Sequence, residues 1–189
     1  MFTSFFLKML NREAASPKHK PERIIESLQI QEGYTIADIG SGGGYFTFQF
    51  ARKVGKTGKV YAVDTQRKYL DFISRQAKSE GLSNVIVVLA ARDEINLPEA
   101  ALDLAFARNV FHHLTAPTQY FRYLKRFLKP GGKVAIIDHK PKSGFSFVSM
   151  FRHQTPEELI LQEMENAGYF VVESFDFLPE QTFTLFGAR

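Results

Sequence analysis

Between residues 38 and 45 the chain reads Asp38-Ile39-Gly40-Ser41-Gly42-Gly43-Gly44-Tyr45. A short apolar run, Thr35 to Ile39, precedes this loop, and a segment of helical periodicity follows it. Glycines let a backbone approach a ligand closely and adopt positive φ. The helix start behind them offers unpaired N–H groups and the positive end of a dipole, which suit a carboxylate. The spacing is G-x-G-x-G, and Tyr45 stands where the dinucleotide fingerprint G-x-G-x-x-G needs its last glycine. No Gly-Lys-Ser/Thr follows, which excludes a phosphate-cradling P-loop.

Other polar signals recur where later strands should end. Asp64 closes a second apolar run, and a carboxylate there can accept hydrogen bonds from both hydroxyls of a ribose. Asp93, in Ala90-Ala91-Arg92-Asp93-Glu94, follows a third run and suits an adenine amino group. Arg108-Asn109-Val110-Phe111-His112-His113-Leu114 follows a fourth. Open α/β sheets bind ligands at the carboxyl ends of their strands. Four successive strand ends with glycine-rich or polar signals point to a nucleoside-containing ligand.

The elements that must position these residues can be read from the hydrophobic period. Helical spacing is expected over Glu22 to Leu28, from about Tyr45 to Val54, from about Lys68 to Glu80 and over Gln119 to Leu128. Strands are expected at Thr35 to Ile39, Val60 to Val63, Val85 to Leu89, Leu102 to Phe106 and Lys133 to Asp138. Thr155-Pro156-Glu157-Glu158 reads as a helix start, with Thr155 as N-cap, Pro156 at the first position and Glu158 completing a capping box. That helix should run to about Ala167, before Gly168. The alternation implies a parallel sheet with helices on both faces. Phe170 to Phe177 and Thr182 to Gly187 are then strand-like with no room for a helix between them, so they must pair antiparallel.

Composition bounds the rest. The chain has 189 residues, 44% hydrophobic and 23% charged, and forms one domain with an N-terminal appendage over residues 1–20. Its formal charge of +4 is scattered along the chain, which reads as solvated surface and not as a nucleic-acid stripe. With no cysteine, disulfides, thiolate metal sites and cysteine nucleophiles are excluded, and a cytoplasmic setting is expected. No apolar run approaches a membrane span. Phe2, Phe5, Phe6, Met9 and Leu10 gather along one side of a helix, as a flap over a site, as packing against the body, or as a membrane-surface contact.

With these motifs in place, residues 21–189 resemble the class I S-adenosylmethionine-dependent methyltransferases, and within them the small-molecule enzymes with a minimal body, some of which act on quinones. Asp38-x-Gly40-x-Gly42-x-Gly44 matches that family's first motif, and Leu128-Lys129-Pro130-Gly131-Gly132-Lys133 is similar to its turn before strand five. The resemblance implies a doubly wound seven-stranded α/β sheet of order 3-2-1-4-5-7-6, strand seven antiparallel. It implies S-adenosylmethionine as cofactor, S-adenosylhomocysteine as product and a small acceptor. Asp38, Gly40, Ser41, Gly42 and Gly44 would hold the methionine end. Asp64 with Thr65 would take the ribose, Asp93 with Arg92 the adenine, and Asn109 would line the methionine arm.

Methyl transfer from a sulfonium needs alignment and exclusion of water; a base matters only when the acceptor loses a proton. His112 and His113 are the candidates, and His113 is preferred. A two-histidine metal site lacks a third ligand nearby, so no metal is expected. Arg152-His153 ends a long connection carrying Phe145, Phe147 and Phe151, a candidate aromatic lid. Arsenic and cytosine C5 methylation depend on cysteines. Base N-methylation uses an Asn/Asp-Pro-Pro-aromatic motif, from which Arg108-Asn109-Val110-Phe111 departs. The competing readings are a nicotinamide-dependent oxidoreductase, a non-catalytic cofactor-binding protein and an RNA-directed methyltransferase.

Overall fold

The computed structural model describes residues 2–91, 94–141 and 155–189. Its seven strands follow the order 3-2-1-4-5-7-6. The chain divides into two compact units, Met1–Leu97 and Pro98–Arg189.

In the first unit three parallel strands alternate with helices. These are β1 (Thr35–Ile39), β2 (Lys59–Asp64) and β3 (Val85–Leu89). β2 lies between the other two, with Ile39 opposite Val63 and Asp64 opposite Leu89. Helices α1 (Phe2–Ala14), α2 (Pro21–Ser27), α3 (Tyr45–Val54) and α4 (Arg67–Ser79) complete it. β1 and β2 carry almost uninterrupted buried residues, the pattern of strands covered on both faces. Phe48 of α3, Ala62 of β2 and Ile73 and Ala77 of α4 form one core cluster. Gly55 ends α3 with φ of 66°, a conformation that costs an L side chain energy and glycine little.

The second unit holds β4 (Leu102–Arg108), α5 (Pro117–Leu124), β5 (Leu128–His139), α6 (Glu157–Asn166), β6 (Tyr169–Phe175) and β7 (Gln181–Ala188). β4 and β5 are parallel, while β7 runs antiparallel between β5 and β6. β7 is buried from Gln181 to Gly187, whereas the edge strand β6 is exposed from Phe170 to Ser174. Phe106, Val134, Ile137, Phe183 and Phe186 sit in this unit's core, with Phe121, Ile160 and Met164 from the helices.

Most expected elements agree with the structure to within a residue or two. Three differ. α6 begins at Glu157 with Pro156 at the cap position and no side-chain capping bond, so the Thr155–Glu158 capping box does not form. Proline pre-sets φ for a helix start, but it leaves Thr155 one residue too early to cap. The helix expected to reach Leu128 stops at Leu124, and Lys125–Phe127 tighten into a 3-10 turn. β5 starts at Leu128, because the Pro130-Gly131-Gly132 segment already belongs to the extended chain.

Candidate functional site

The loop from β1 to α3 is shaped by backbone. Gly40, Gly42 and Gly44 have φ of 69°, 53° and 86°, the left-handed region where side chains are strained. Gly40 N and Ser41 N donate to the carbonyl of Val63, 2.8 and 3.0 Å away. Gly42 N donates to Asp64 Oδ2 at 3.0 Å, and Gln66 N to Asp64 Oδ1 at 2.9 Å. Asp64 thus ties the tip of β2 to the glycine loop. Its carboxyl is raised above the ordinary range, first by burial, against which the Gln66, Gly42 and Thr65 backbone donors act.

Asp38 lies one residue before the end of β1 and is 4% exposed. Burial is the main cause raising its carboxyl to about 7; the Thr47 hydroxyl bond lowers it, and the Asp64 charge raises it further. Ser41 Oγ is buried with no hydrogen-bond partner among the described residues. A buried orphan hydroxyl is costly unless a ligand satisfies it. Loop glycines, an acidic pair and an orphan hydroxyl together form a cradle whose chemistry fits the amino acid and ribose groups of a nucleoside that carries a free amino acid end.

Gly43 has a different purpose. A Cβ added there would lie 2.6 Å from Leu7 O and collide with Asn11 Oδ1. Asn11 Nδ2 donates to Gly43 O at 2.7 Å. α1 therefore rests on the glycine loop itself, with Leu7 fully buried. The N-terminal appendage is a helix seated on the loop, and its stripe Phe5, Phe6 and Met9 points away from it. Spacing groups Leu10 with Phe5, Phe6 and Met9, but the structure turns it to the docking side with Leu7: it is half-buried, and its Cδ1 lies 4.0 Å from where a Gly42 Cβ would sit.

In the second unit the histidine pair falls in a short 3-10 turn after β4, residues Phe111–His113. His112 Nδ1 lies 2.8 Å from Asp138 Oδ1, and His112 N donates to Asp138 Oδ2 at 3.1 Å. His139 N also donates to Asp138 Oδ1, at 2.8 Å. A carboxylate accepting from two backbone amides is an acceptor toward the ring as well, so Nδ1 is the protonated nitrogen of His112. Asp138 is fully buried, and the His112 side chain nearly so. His113 is exposed, its ring centroid 4.1 Å from that of His112.

Asn109 adopts φ of 57°, rare outside glycine and tolerated best by Asn and Asp. Its N–H donates to Ile137 O, and its Oδ1 accepts from Gln181 Nε2 at 2.6 Å. Gln181, 2% exposed, also accepts from Arg108 Nη2 at 3.1 Å. Asp138, Gln181 and Thr47 are absent from the sequence reading of the site. Asp138 carried one usable signal, a carboxylate ending the apolar run Val134–Ile137. Arg92, Asp93, Arg152, His153 and the Phe145–Phe151 segment lie outside the described residues.

The glycine loop after β1, the acid ending β2 and the antiparallel seventh strand define a class. The chain belongs to the methyltransferase-domain family, whose model matches residues 30–182. This is the S-adenosylmethionine-dependent class anticipated from Asp38 to Gly44. A solved S-adenosylmethionine-dependent methyltransferase from Aquifex aeolicus matches over 98% of both chains, with 26% identity and a TM-score of 0.87. The ubiquinone/menaquinone biosynthesis C-methyltransferase UbiE of Escherichia fergusonii is 28% identical over 115 residues, 60% of this chain and 46% of its own. Methyltransferase GfsG of Streptomyces halstedii is 31% identical over 127 residues, 66% of this chain and 45% of its own. The chain thus spans less than half the length of these two relatives.

Proposed function

We propose that the chain transfers a methyl group from S-adenosylmethionine to a small hydrophobic or aromatic acceptor, and that His112 takes the proton the acceptor gives up. The observation that carries the second half is the His112–Asp138 pair. One relative is named for ubiquinone and menaquinone biosynthesis, which supports an acceptor of hydrophobic, ring-containing type.

When bound, S-adenosylmethionine supplies an electrophilic methyl on a sulfonium. Asp64 accepts from the ribose hydroxyls with lone pairs beyond those spent on Gly42 and Gln66. Ser41 Oγ gains the partner it lacks. Asp38, once ionised, attracts the methionine ammonium. In the second unit, Asp138 holds the His112 proton on Nδ1, so Nε2 presents the lone pair. An acceptor O–H or acidic C–H passes its proton to Nε2, and Asp138 stabilises the imidazolium that results. Such positioned bases contribute about 10² to 10⁴-fold. His112 is preferred to His113 because a buried carboxylate orients its ring.

The test is a calorimetric titration with S-adenosylmethionine, S-adenosylhomocysteine and NAD, on wild type and Asp64→Ala. Binding of both adenosyl ligands, lost in the variant, with no heat from NAD, is expected. Saturable binding of NAD alone would sink the reading and return the chain to the oxidoreductases.

A further inference from the structure

α1 divides its residues between two opposed sides. Leu7 is fully buried and Asn11 bonds to Gly43 O, so this side rests on the glycine loop. The other side carries Phe5, Met9 and Phe6, which are 72%, 51% and 41% exposed. At 3.6 residues per turn, Phe5, Met9 and Arg12 fall on one line, with Lys8 beside it. α4 extends the patch. Tyr69 approaches Phe6 with ring centroids 6.5 Å apart, and Lys68 Nζ lies 5.5 Å above the Tyr69 ring.

We propose that this outward face docks on an anionic lipid surface. Three exposed cations flank the aromatic patch, Lys8 and Arg12 on α1 and Lys68 on α4 beside Tyr69. The acids nearby are Glu13, which the His19 ring contacts at 2.8 Å, and Asp71. Phenylalanine and methionine on one face flanked by lysine and arginine is the composition of a helix lying in a bilayer interface. A second copy of the chain fits less well, because a two-fold contact through this face would set three cations against three. A lipid headgroup layer supplies the opposite charge and an apolar layer beneath it.

The surface is built from α1 and α4 residues and does not depend on which ligand the glycine loop takes. Sedimentation of the whole chain with vesicles tests it, comparing phosphatidylcholine alone with phosphatidylcholine containing about one third phosphatidylglycerol. Binding at least about tenfold tighter to the anionic vesicles, weakening as salt rises, is expected. The double variant Phe5→Ser/Met9→Ser should lose about tenfold or more in vesicle affinity. Its circular dichroism and melting should match wild type, since neither side chain enters the core. Val172→Ser, at an exposed apolar residue of the edge strand β6, should bind as wild type does. Absence of wild-type binding to either vesicle, or unchanged binding by the double variant, would overturn the proposal. So would a wild-type dimer in equilibrium sedimentation that the double variant splits, which would assign the face to self-association.

Discussion

The glycine cradle and the histidine–aspartate pair are built in opposite ways. In the first unit the backbone does most of the shaping. Three glycines in left-handed conformations turn the loop, and main-chain amides reach Val63 O and the Asp64 carboxylate. In the second unit the shape comes from side chains far apart in sequence. His112 meets Asp138 26 residues on, and Asn109 meets Gln181 72 residues on. A backbone-built site tolerates change around it but not at its glycines or its tying acid. A side-chain-built site should fail in function while its fold survives.

The largest expected effect tests that contrast on the second region. Asp138→Asn removes the acceptor that fixes His112 and should cut turnover about 10² to 10³-fold on an acceptor that loses a proton. Cofactor affinity should hold within about threefold, as expected when an interaction acts only in the transition state. Equal losses of turnover and cofactor affinity would dissolve the distinction between the two regions. His112→Ala should match Asp138→Asn, while His113→Ala costs far less.

Next in size is Asp64→Ala, which deletes the carboxylate that Gly42 and Gln66 donate to as well as the proposed ribose contact. Calorimetry should find S-adenosylhomocysteine bound at least about a hundredfold more weakly, the sum of two or three lost charge-assisted bonds. A variant that still binds within a few-fold would remove Asp64 from the cradle.

Gly43→Ala separates the two duties of the loop. The added methyl meets Leu7 O and Asn11, so the structure must shift at a cost of about 1–3 kcal/mol. Hydrogen exchange should show α1 deprotected before any other helix. Unchanged protection of α1 would mean that the helix is not seated on Gly43.

The gentlest probe is pH. Folding raises the Asp38 carboxyl from 3.8 to about 7, so the folded chain keeps a proton that the unfolded chain releases. The stability this group contributes is present below pH 3.8 and falls as pH rises toward 7. Asp38→Asn should therefore raise the melting temperature relative to wild type more at pH 8 than at pH 5. If the ionised carboxylate receives the ammonium, cofactor affinity should climb by up to about tenfold per pH unit below 7 and level above it. A flat affinity profile in wild type would exclude Asp38 from that contact.

The same contrast explains what the sequence revealed. Gly40 to Tyr45 and Asp64 declare themselves by type and position, because a loop made of backbone needs glycine and a strand end needs an acid. The parallel strands were legible from their β-branched runs, and the terminal hairpin from the lack of room for a helix. Asp138 was visible only as the end of an apolar run, since nothing local to it names His112 as its partner. The seating of α1 was hidden for a related reason. Its exposed face is the more hydrophobic one, so apolar periodicity points away from the contact that Leu7 and Asn11 make.

β7 is seventh in the chain yet lies between the fifth and sixth strands, joining Phe186 to Val134 on one side and to Val171 on the other. During synthesis, β5 must therefore wait with an open edge, and β6 has no neighbour to register against until residues 181–188 arrive. The first unit closes its sheet from strands already made, β2 over β1 and β3 over β2. Gln181 arrives with that late strand, and only then can it receive Arg108 and hold Asn109. The ribosome thus releases a finished glycine cradle well before the second unit can form its hydrogen-bond network, and a stall between Ala167 and Gln181 would expose the long hydrophobic edge of β5 to aggregation.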